Sequence, residues 1–131
     1  MAQRQVLLIE DEPHIAEAIR FILTRAGWTV SVLEDGARAM ARIIGDPPDA
    51  IILDLMLPGR SGLEILADMR ADAALRDLPV LMLSARGQGR DRDAATRAGA
   101  TAFLAKPFAN GDVLDQLEAI TGGGAARREP A

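Results

Sequence analysis

Four short apolar runs, separated by segments with helical spacing, constrain the fold of this chain more than any other feature. The runs cover residues 6–9, 50–53, 80–83 and 101–105. Apolar runs of this length are typical of strands that are covered on both faces of a sheet. A further segment, residues 29–33, alternates polar and apolar side chains. This alternation predicts a strand with one wetter face, which we expect at an edge of the sheet.

The segments between and after these runs repeat apolar side chains every three or four positions, as on the buried face of a helix. Ile15, Ile19 and Ile22 show this spacing ahead of the second strand, and Val113 and Leu117 show it near the end of the chain. Strands that alternate with helices and are joined by right-handed crossovers form a parallel sheet with helices on both faces. We therefore predict a doubly wound α/β fold with five strands and five helices.

The helix predicted over residues 89–98 has the weakest apolar face, because its only apolar side chains are those of three alanines. A helix that buries little apolar surface opens locally at a low cost in free energy. We expect this helix to move more readily than the others.

The length of the chain, 131 residues, suits one domain with a single core. We assign residues 1–121 to this domain and residues 122–131, which are rich in glycine and then charged, to a flexible tail or the stub of a linker. No apolar stretch is long enough to cross a bilayer, and the first residues lack the apolar region of a signal peptide. We therefore expect a cytoplasmic location without membrane contact.

The cysteine content and the net charge exclude several kinds of site. The chain has no cysteine, so disulfides, thiolate metal sites and cysteine nucleophiles are excluded. Its net charge of −4 argues against direct binding of nucleic acid by this domain, because affinity for a phosphate backbone depends on clustered Lys and Arg.

Polar side chains follow four of the five predicted strands, at the edge where open parallel sheets bind ligands. They are Glu10 and Asp11 after the first strand, Asp54 after the third, Ser84 after the fourth and Lys106 after the fifth. Each alone has an ordinary explanation as a cap, a turn residue or a solvated strand end. Together they predict a site for Mg²⁺ or Mn²⁺, since oxygen ligands without His or Cys suit these ions. A metal beside a carboxylate nucleophile, a lysine and a hydroxyl is the equipment for phosphoryl transfer.

At these residues the chain resembles the receiver domains of two-component response regulators, from about residue 5 to residue 120. The motifs that carry the resemblance are LIEDE at 8–12, ILDLMLPG at 52–59 followed by SG at 61–62, LSA at 83–85, GA at 99–100 and KPF at 106–108. The resemblance implies a flavodoxin-like, CheY-like sheet with the strand order 2-1-3-4-5.

The resemblance also implies a role for each residue of the predicted site. Asp54 would be the phosphoacceptor, and Asp11 and Asp54 would bind the metal through their side chains. Glu10 would bind it through water, and Met56 through its backbone carbonyl. Lys106 would pair with Asp54 and later with the phosphoryl group.

The predicted switch involves two further side chains. Ser84 would donate its hydroxyl to the phosphoryl group, and Phe103 would be the aromatic residue that turns inward at the same time. The Lys106–Pro107 peptide bond is expected to be cis. This chain lacks the acidic residues that often follow Gly99-Ala100 in the family, which argues against the charged dimer face of one group of DNA-binding regulators.

Met56 and Arg86 occupy positions whose side chains can overhang the phosphoryl group in this family. The hypothesis is that apolar Met56 and cationic Arg86 slow the attack of water on the phosphorylated residue.

The partners implied by the resemblance are a sensor histidine kinase or a histidine phosphotransfer protein as donor, and an unknown downstream protein target or output domain. The residues expected to set specificity for the donor lie on the first helix, at His14, Glu17, Ala18 and 20–22. The protein would catalyse only its own phosphorylation and dephosphorylation, so we do not expect an enzyme. Whether the chain is a single-domain regulator or a fragment of a longer one stays open.

Three alternatives compete with this interpretation. A phosphorylation-independent interaction module of the same fold is the nearest. A phosphatase resembling the haloacid dehalogenases would require a second acid two residues after Asp54, where this chain has Met56. A flavin site would require a phosphate-binding loop where Glu10, Asp11 and Glu12 would repel a phosphate.

Overall fold

The computed structural model describes residues 4–85 and 89–122, with the side chain of Asn110 left out. Within these ranges strands and helices alternate along the chain. In chain order they are β1 (Gln5–Ile9), α1 (Pro13–Arg25), β2 (Thr29–Leu33), α2 (Ala39–Gly45), β3 (Ala50–Asp54), α3 (Gly62–Ala71), β4 (Val80–Ser84), α4 (Gly89–Ala98), β5 (Ala102–Ala105) and α5 (Asn110–Ile120).

The five strands form one parallel sheet in the order β2-β1-β3-β4-β5. This order and the five helices confirm the predicted fold. The segment with alternating polarity, β2, lies at an edge and is only partly buried, as expected. β5 begins one residue later than the apolar run predicted, at Ala102. Asp54 and Ser84 are the last residues of β3 and β4.

Two apolar clusters cover the two faces of the sheet, because successive side chains of each strand point to opposite faces. One cluster packs Leu7, Leu53 and Met82 against α2, α3 and α4. The other packs Leu8 and Ile52 against α1 and α5. The central strands β3 and β4 are buried along their whole length, which explains why they read as unbroken apolar runs.

α3 begins directly beneath the carboxyl end of β3, and a glycine permits this close approach. The Gly62 N–H donates to the carbonyl of Leu55 at 2.9 Å. A Cβ at Gly62 would overlap the carbonyl oxygen of Asp54. Ser61 and Glu64 form a capping box at the start of the helix, which satisfies two backbone N–H groups there. The backbone after Asp54 is therefore held by the first turn of α3.

Two further predictions from the sequence concern the tail of the chain and contact with a membrane. Of the tail predicted over residues 122–131, residues 123–131 lie outside the described residues. Among the helices that the structure does describe, none combines the length and the apolar character needed to span a membrane.

Candidate functional site

Three carboxylates meet at the carboxyl ends of two neighbouring strands. β1 and β3 pair in register through Ile9 and Leu53, so the residues that follow them are adjacent. Glu10, Asp11 and Asp54 each offer an oxygen atom, and these oxygens lie within 4.8 Å of one another. Glu10 and Asp54 are buried, with 1% and 3% of their surfaces exposed, whereas Asp11 is exposed. The site is therefore a pocket of negative charge that opens to solvent on one side.

The ammonium of Lys106 faces two of these carboxylates from the end of β5. Its Nζ atom lies 3.1 Å from Oε1 of Glu10 and 3.4 Å from Oδ2 of Asp54. The backbone N–H of Lys106 donates to the carbonyl of Ser84 at 2.7 Å, which aligns the ends of β4 and β5. The Lys106–Pro107 peptide bond is cis. The structure thus brings together residues that are far apart in the sequence.

Burial is the main cause of the pKa shifts of Asp54 and Glu10, whereas the two carboxylates decide the direction of the shift of Lys106. It raises the pKa of Asp54, and the nearby Lys106 only partly offsets this effect. Burial also raises the pKa of Glu10, against the hydrogen bond that Glu10 accepts from the N–H of Glu12. For Lys106, burial alone would lower the pKa, but the charges and hydrogen bonds of Asp54 and Glu10 raise it overall. Lys106 is therefore a cation, held by two carboxylates that are costly to ionise.

The carboxylate cluster fits a divalent cation bound through oxygen. When all four groups are ionised, three carboxylates face one ammonium, which leaves two negative charges in excess. Although the Lys106 ammonium is close to Oε1 of Glu10, this buried oxygen accepts no hydrogen bond from the described residues. A buried acceptor without a donor and an excess of two charges are both relieved by a divalent ion. Mg²⁺ and Mn²⁺ prefer such ligands.

Ser84 makes a contact that the sequence did not predict. Its side chain is fully buried, and Oγ donates a hydrogen bond to Oδ2 of Asp91 at 2.8 Å. Asp91 lies in the first turn of α4 and is itself buried. In the sequence it is one of two aspartates that alternate with arginines, so no local signal distinguishes it from Asp93. Only the packing of α4 on β4 selects it.

Of the three remaining predicted residues, the structure describes Phe103 and Met56. Phe103 is 9% exposed and lies in the core under α4, with the guanidinium carbon of Arg92 4.8 Å from the centre of its ring. Met56 follows β3, and its side chain is 54% exposed. Arg86 lies outside the described residues.

A cleft of about 370 Å³ opens next to the carboxylate cluster. Its walls include Lys106, Pro107 and Phe108 on one side and the α1 residues His14 and Ala18 on the other. This places the start of α1 beside the site.

Residues 6–118 match the response regulator receiver domain family, and the chain belongs to this family. Membership implies signalling through a phosphoacceptor in a two-component system. Receiver domains receive their signals from histidine kinases and generally bind Mg²⁺ through acidic residues. This chain has an acidic cluster formed by Glu10, Asp11 and Asp54.

Among the similar curated proteins is the phosphate regulon transcriptional regulatory protein PhoB of Klebsiella pneumoniae, 37% identical over 117 residues. These residues make up 89% of this chain and 51% of PhoB. The transcriptional regulatory protein TcrA of Mycobacterium tuberculosis is 39% identical over 126 residues, which are 96% of this chain and 49% of TcrA. The chain thus spans about half the length of these relatives.

The fold of solved receiver structures agrees with that of this chain. A putative response regulator from Chloroflexus aurantiacus has a TM-score of 0.88 and 32% identity, and the match covers 92% of this chain and 98% of that one. The chemotaxis response regulator CheY4 of Vibrio cholerae has a TM-score of 0.85 and 28% identity, with coverages of 91% and 99%.

Proposed function

We propose that this domain accepts a phosphoryl group on Asp54 from a phosphohistidine of a sensor histidine kinase or a histidine phosphotransfer protein. The observation that carries the proposal is the convergence of Asp54 with two further carboxylates and Lys106 at one edge of the sheet. A carboxylate oxygen of Asp54 forms the new bond to phosphorus. The P–N bond of the donor breaks, and its electron pair stays on the imidazole nitrogen.

The other site residues stabilise the charge that is transferred. Glu10, Asp11, Asp54 and the backbone carbonyl of Met56 are the proposed ligands of Mg²⁺, with Glu10 acting through water. When bound, Mg²⁺ neutralises the phosphoryl oxygens, on which negative charge develops. Lys106 exchanges part of its contact with Asp54 for a phosphoryl oxygen, and its raised pKa keeps it protonated for this role.

The proposed output is a change of surface around α4, β5 and α5. Ser84 donates its hydroxyl to the phosphoryl group, and Phe103 belongs to the same switch. Because both residues contact α4, movement of either is transmitted to the surface of that helix. A protein target or an output domain would read this surface.

The cleft beside the site suits the approach of the donor. Its walls combine Lys106 and Phe108 with His14 and Ala18 of α1, the helix predicted to set donor specificity. A donor residue that enters here reaches the edge where Asp54 lies. We propose no direct contact of this domain with nucleic acid or with a membrane, and no reaction on a separate substrate. A cytoplasmic location stays a prediction.

Intact mass measured after incubation with acetyl phosphate tests the proposal. We expect one added phosphoryl group in the presence of Mg²⁺, little addition without the metal, and none in Asp54→Asn. The matched control is Asp115→Asn, which changes an exposed aspartate of α5 and should leave the addition intact. Absence of metal-dependent addition to the folded wild type would replace the proposal with a docking module that works without phosphorylation.

A further inference from the structure

Two consecutive residues in the first turn of α4 contact the two side chains proposed to switch. Ser84 Oγ donates to Oδ2 of Asp91 at 2.8 Å, and both residues are buried. The guanidinium of Arg92 lies over the ring of Phe103, 4.8 Å from its centre. The start of α4 is therefore connected to the end of β4 and to β5 through side chains.

The hydroxyl of Ser84 cannot serve two acceptors at once. A serine hydroxyl has a single proton to donate. A hydrogen bond from a hydroxyl to a carboxylate is charge-assisted and stronger than one between neutral groups. A phosphoryl group on Asp54 would offer the same hydroxyl a second anionic acceptor. The bond to Asp91 must therefore break before Ser84 can contact the phosphoryl group.

We propose that Asp91 is a positioning residue that holds the Ser84 hydroxyl in the unphosphorylated state and thereby opposes the switch. This inference rests on the proposed function, because the phosphoryl group on Asp54 is the competing acceptor. Ser84 keeps its proton throughout and changes only its acceptor, so no covalent bond is formed or broken in this step.

Loss of this contact has a direct consequence for α4. The buried residues of this helix are Asp91 and Ala95, so it is anchored by little apolar surface. Once Ser84 turns away, Asp91 loses this donor, and the first turn of α4 loses one hydrogen bond to the end of β4. The exchange of one hydrogen bond is thereby coupled to the position of the helix proposed to signal.

Removal of the Asp91 carboxylate should favour the phosphorylated arrangement. The bond to Ser84 stabilises only the unphosphorylated state, so its loss makes the phosphoryl-bound state easier to reach. The strength of a hydrogen bond to a charged group corresponds to a change of about tenfold in an equilibrium constant. Since Asp91 has at least one further interaction, the effect of the Ser84 contact has to be isolated by a double-mutant cycle.

The test is a calorimetric titration of the full chain with beryllofluoride, an analogue of the phosphoryl group, at saturating Mg²⁺. We expect Asp91→Ala to bind the analogue about tenfold more tightly than the wild type does. Asp91→Asn retains a neutral carbonyl acceptor, so its affinity should lie between those of the wild type and Asp91→Ala. Asp93→Ala, which removes an exposed acid of the same helix, should bind like the wild type.

A second titration with beryllofluoride compares Asp91→Ala and its parent in a Ser84→Ala background, where the hydroxyl is absent. If Asp91 acts through the hydroxyl, Asp91→Ala should leave the affinity of the Ser84→Ala protein unchanged. An equal gain in both backgrounds, or no gain in a folded Asp91→Ala protein, would overturn the inference. If Asp91→Ala does not fold, the Asp91→Asn cycle decides by the same criterion. Failure of the wild type to bind beryllofluoride would instead contradict the proposed function itself.

Discussion

At the scale of single residues, Asp54 is the proposed phosphoacceptor, and its surroundings disfavour the charged form of its carboxyl group. Its carboxylate is buried beside that of Glu10, and burial raises its pKa despite the neighbouring Lys106. A group whose charged form is disfavoured in the folded state reduces stability wherever that form predominates. The same environment explains why a divalent cation or a phosphoryl group with its metal would be accepted there.

Neutralisation of Asp54 should therefore stabilise the metal-free protein. In a chelating buffer at neutral pH, we expect Asp54→Asn to raise the free energy of unfolding, because burial disfavours the charged carboxylate more than Lys106 favours it. The comparison is made by urea titration with Asp115→Asn, the exposed control. A loss of stability in Asp54→Asn would show that its ion pair with Lys106 outweighs the burial of the charge.

The pH dependence of this effect has a definite sign. Because the folded pKa of Asp54 is raised, the folded state holds the proton more tightly than the unfolded state. The protonated carboxyl thus stabilises the fold at low pH, and this contribution is lost as the pH rises through the raised pKa. The gain in the free energy of unfolding that Asp54→Asn gives should grow as the pH rises through the pKa of Asp54 and should then level off.

Met56 provides a prediction about the lifetime of the phosphorylated state. Its exposed apolar side chain stands two residues after Asp54 and offers an approaching water molecule no hydrogen bond. Met56→Asn would supply a polar group, and one net hydrogen bond in the transition state corresponds to a dephosphorylation rate about two to ten times higher. Arg86→Ala should act in the same direction.

The dephosphorylation rates are measured from the decay of the phosphorylated mass after removal of acetyl phosphate. Met56→Leu, which keeps an apolar side chain, is the matched control and should decay like the wild type. Unchanged rates in both Met56→Asn and Arg86→Ala would end the hypothesis that these side chains slow the attack of water.

At the scale of secondary-structure elements, a single arginine joins α3 to two loops. The guanidinium of Arg70 donates to the carbonyls of Leu75, Leu78 and Gly99, at 3.3, 2.8 and 2.9 Å. Gly99 has a φ of +105°, and a Cβ at this position would crowd the Arg70 side chain. The turn between α4 and β5 is therefore shaped around this arginine.

Replacement of Arg70 by lysine should destabilise the protein even though the charge is kept. One ammonium cannot reach the carbonyls that a planar guanidinium contacts together. Since partly buried carbonyls left without donors are costly, we expect Arg70→Lys to lower the free energy of unfolding by about 1 kcal/mol in a urea titration. Arg97→Lys, at an exposed position of α4, should change it little. Equal stability of the two variants would contradict this role.

α4 and α1 differ in how firmly they are attached to the sheet. α1 buries Ala16, Ile19 and Leu23, whereas the only apolar side chain that α4 buries is that of Ala95. We expect the backbone amides of α4 to exchange with deuterium faster than those of α1, because local opening of α4 exposes less apolar surface. Slower exchange in α4, measured residue by residue by NMR, would show that its polar contacts hold it more firmly than apolar burial holds α1.

At the scale of the whole molecule, metal binding should be linked to folding, because the proposed ligands lie at the carboxyl ends of two different strands, β1 and β3. A ligand that binds only the folded state stabilises it, by about 2.7 kcal/mol when present at 100 times its dissociation constant. We expect the unfolding temperature of the wild type to rise with Mg²⁺ concentration. The shift should be much smaller in Asp11→Asn and retained in Asp115→Asn. A shift of equal size in all three proteins would indicate a general salt effect.

Most of the fold was predictable from the sequence because its determinants are local. The unbroken apolar runs of β3 and β4 and the alternation in β2 reflect how each strand is buried. Right-handed crossovers then place the helices on the two faces. The convergence of Asp54, Glu10 and Lys106 follows from the same logic, since the carboxyl ends of parallel strands share one edge.

The pairing of side chains between distant elements was not predictable in this way. Trp28 is buried in one of the two apolar clusters, and its indole N–H donates to Glu118 of α5 at 3.2 Å. Arg4 lies over the Trp28 ring and also donates two hydrogen bonds to Glu118. Such contacts depend on the separation and rotation of whole elements, which no periodic pattern records.

The sequence by itself determined the alternation of strands and helices along the chain, the edge at which the polar residues gather and the chemical types present there. These follow from local periodicity and from the handedness of the connections. Only the tertiary structure decided that Ser84 is held by Asp91 rather than by Asp93, and that Phe103 lies buried beneath Arg92. The physical reason is that hydrogen bonds and ring contacts act over a few ångströms, so the packing of α4 on the sheet selects the partners.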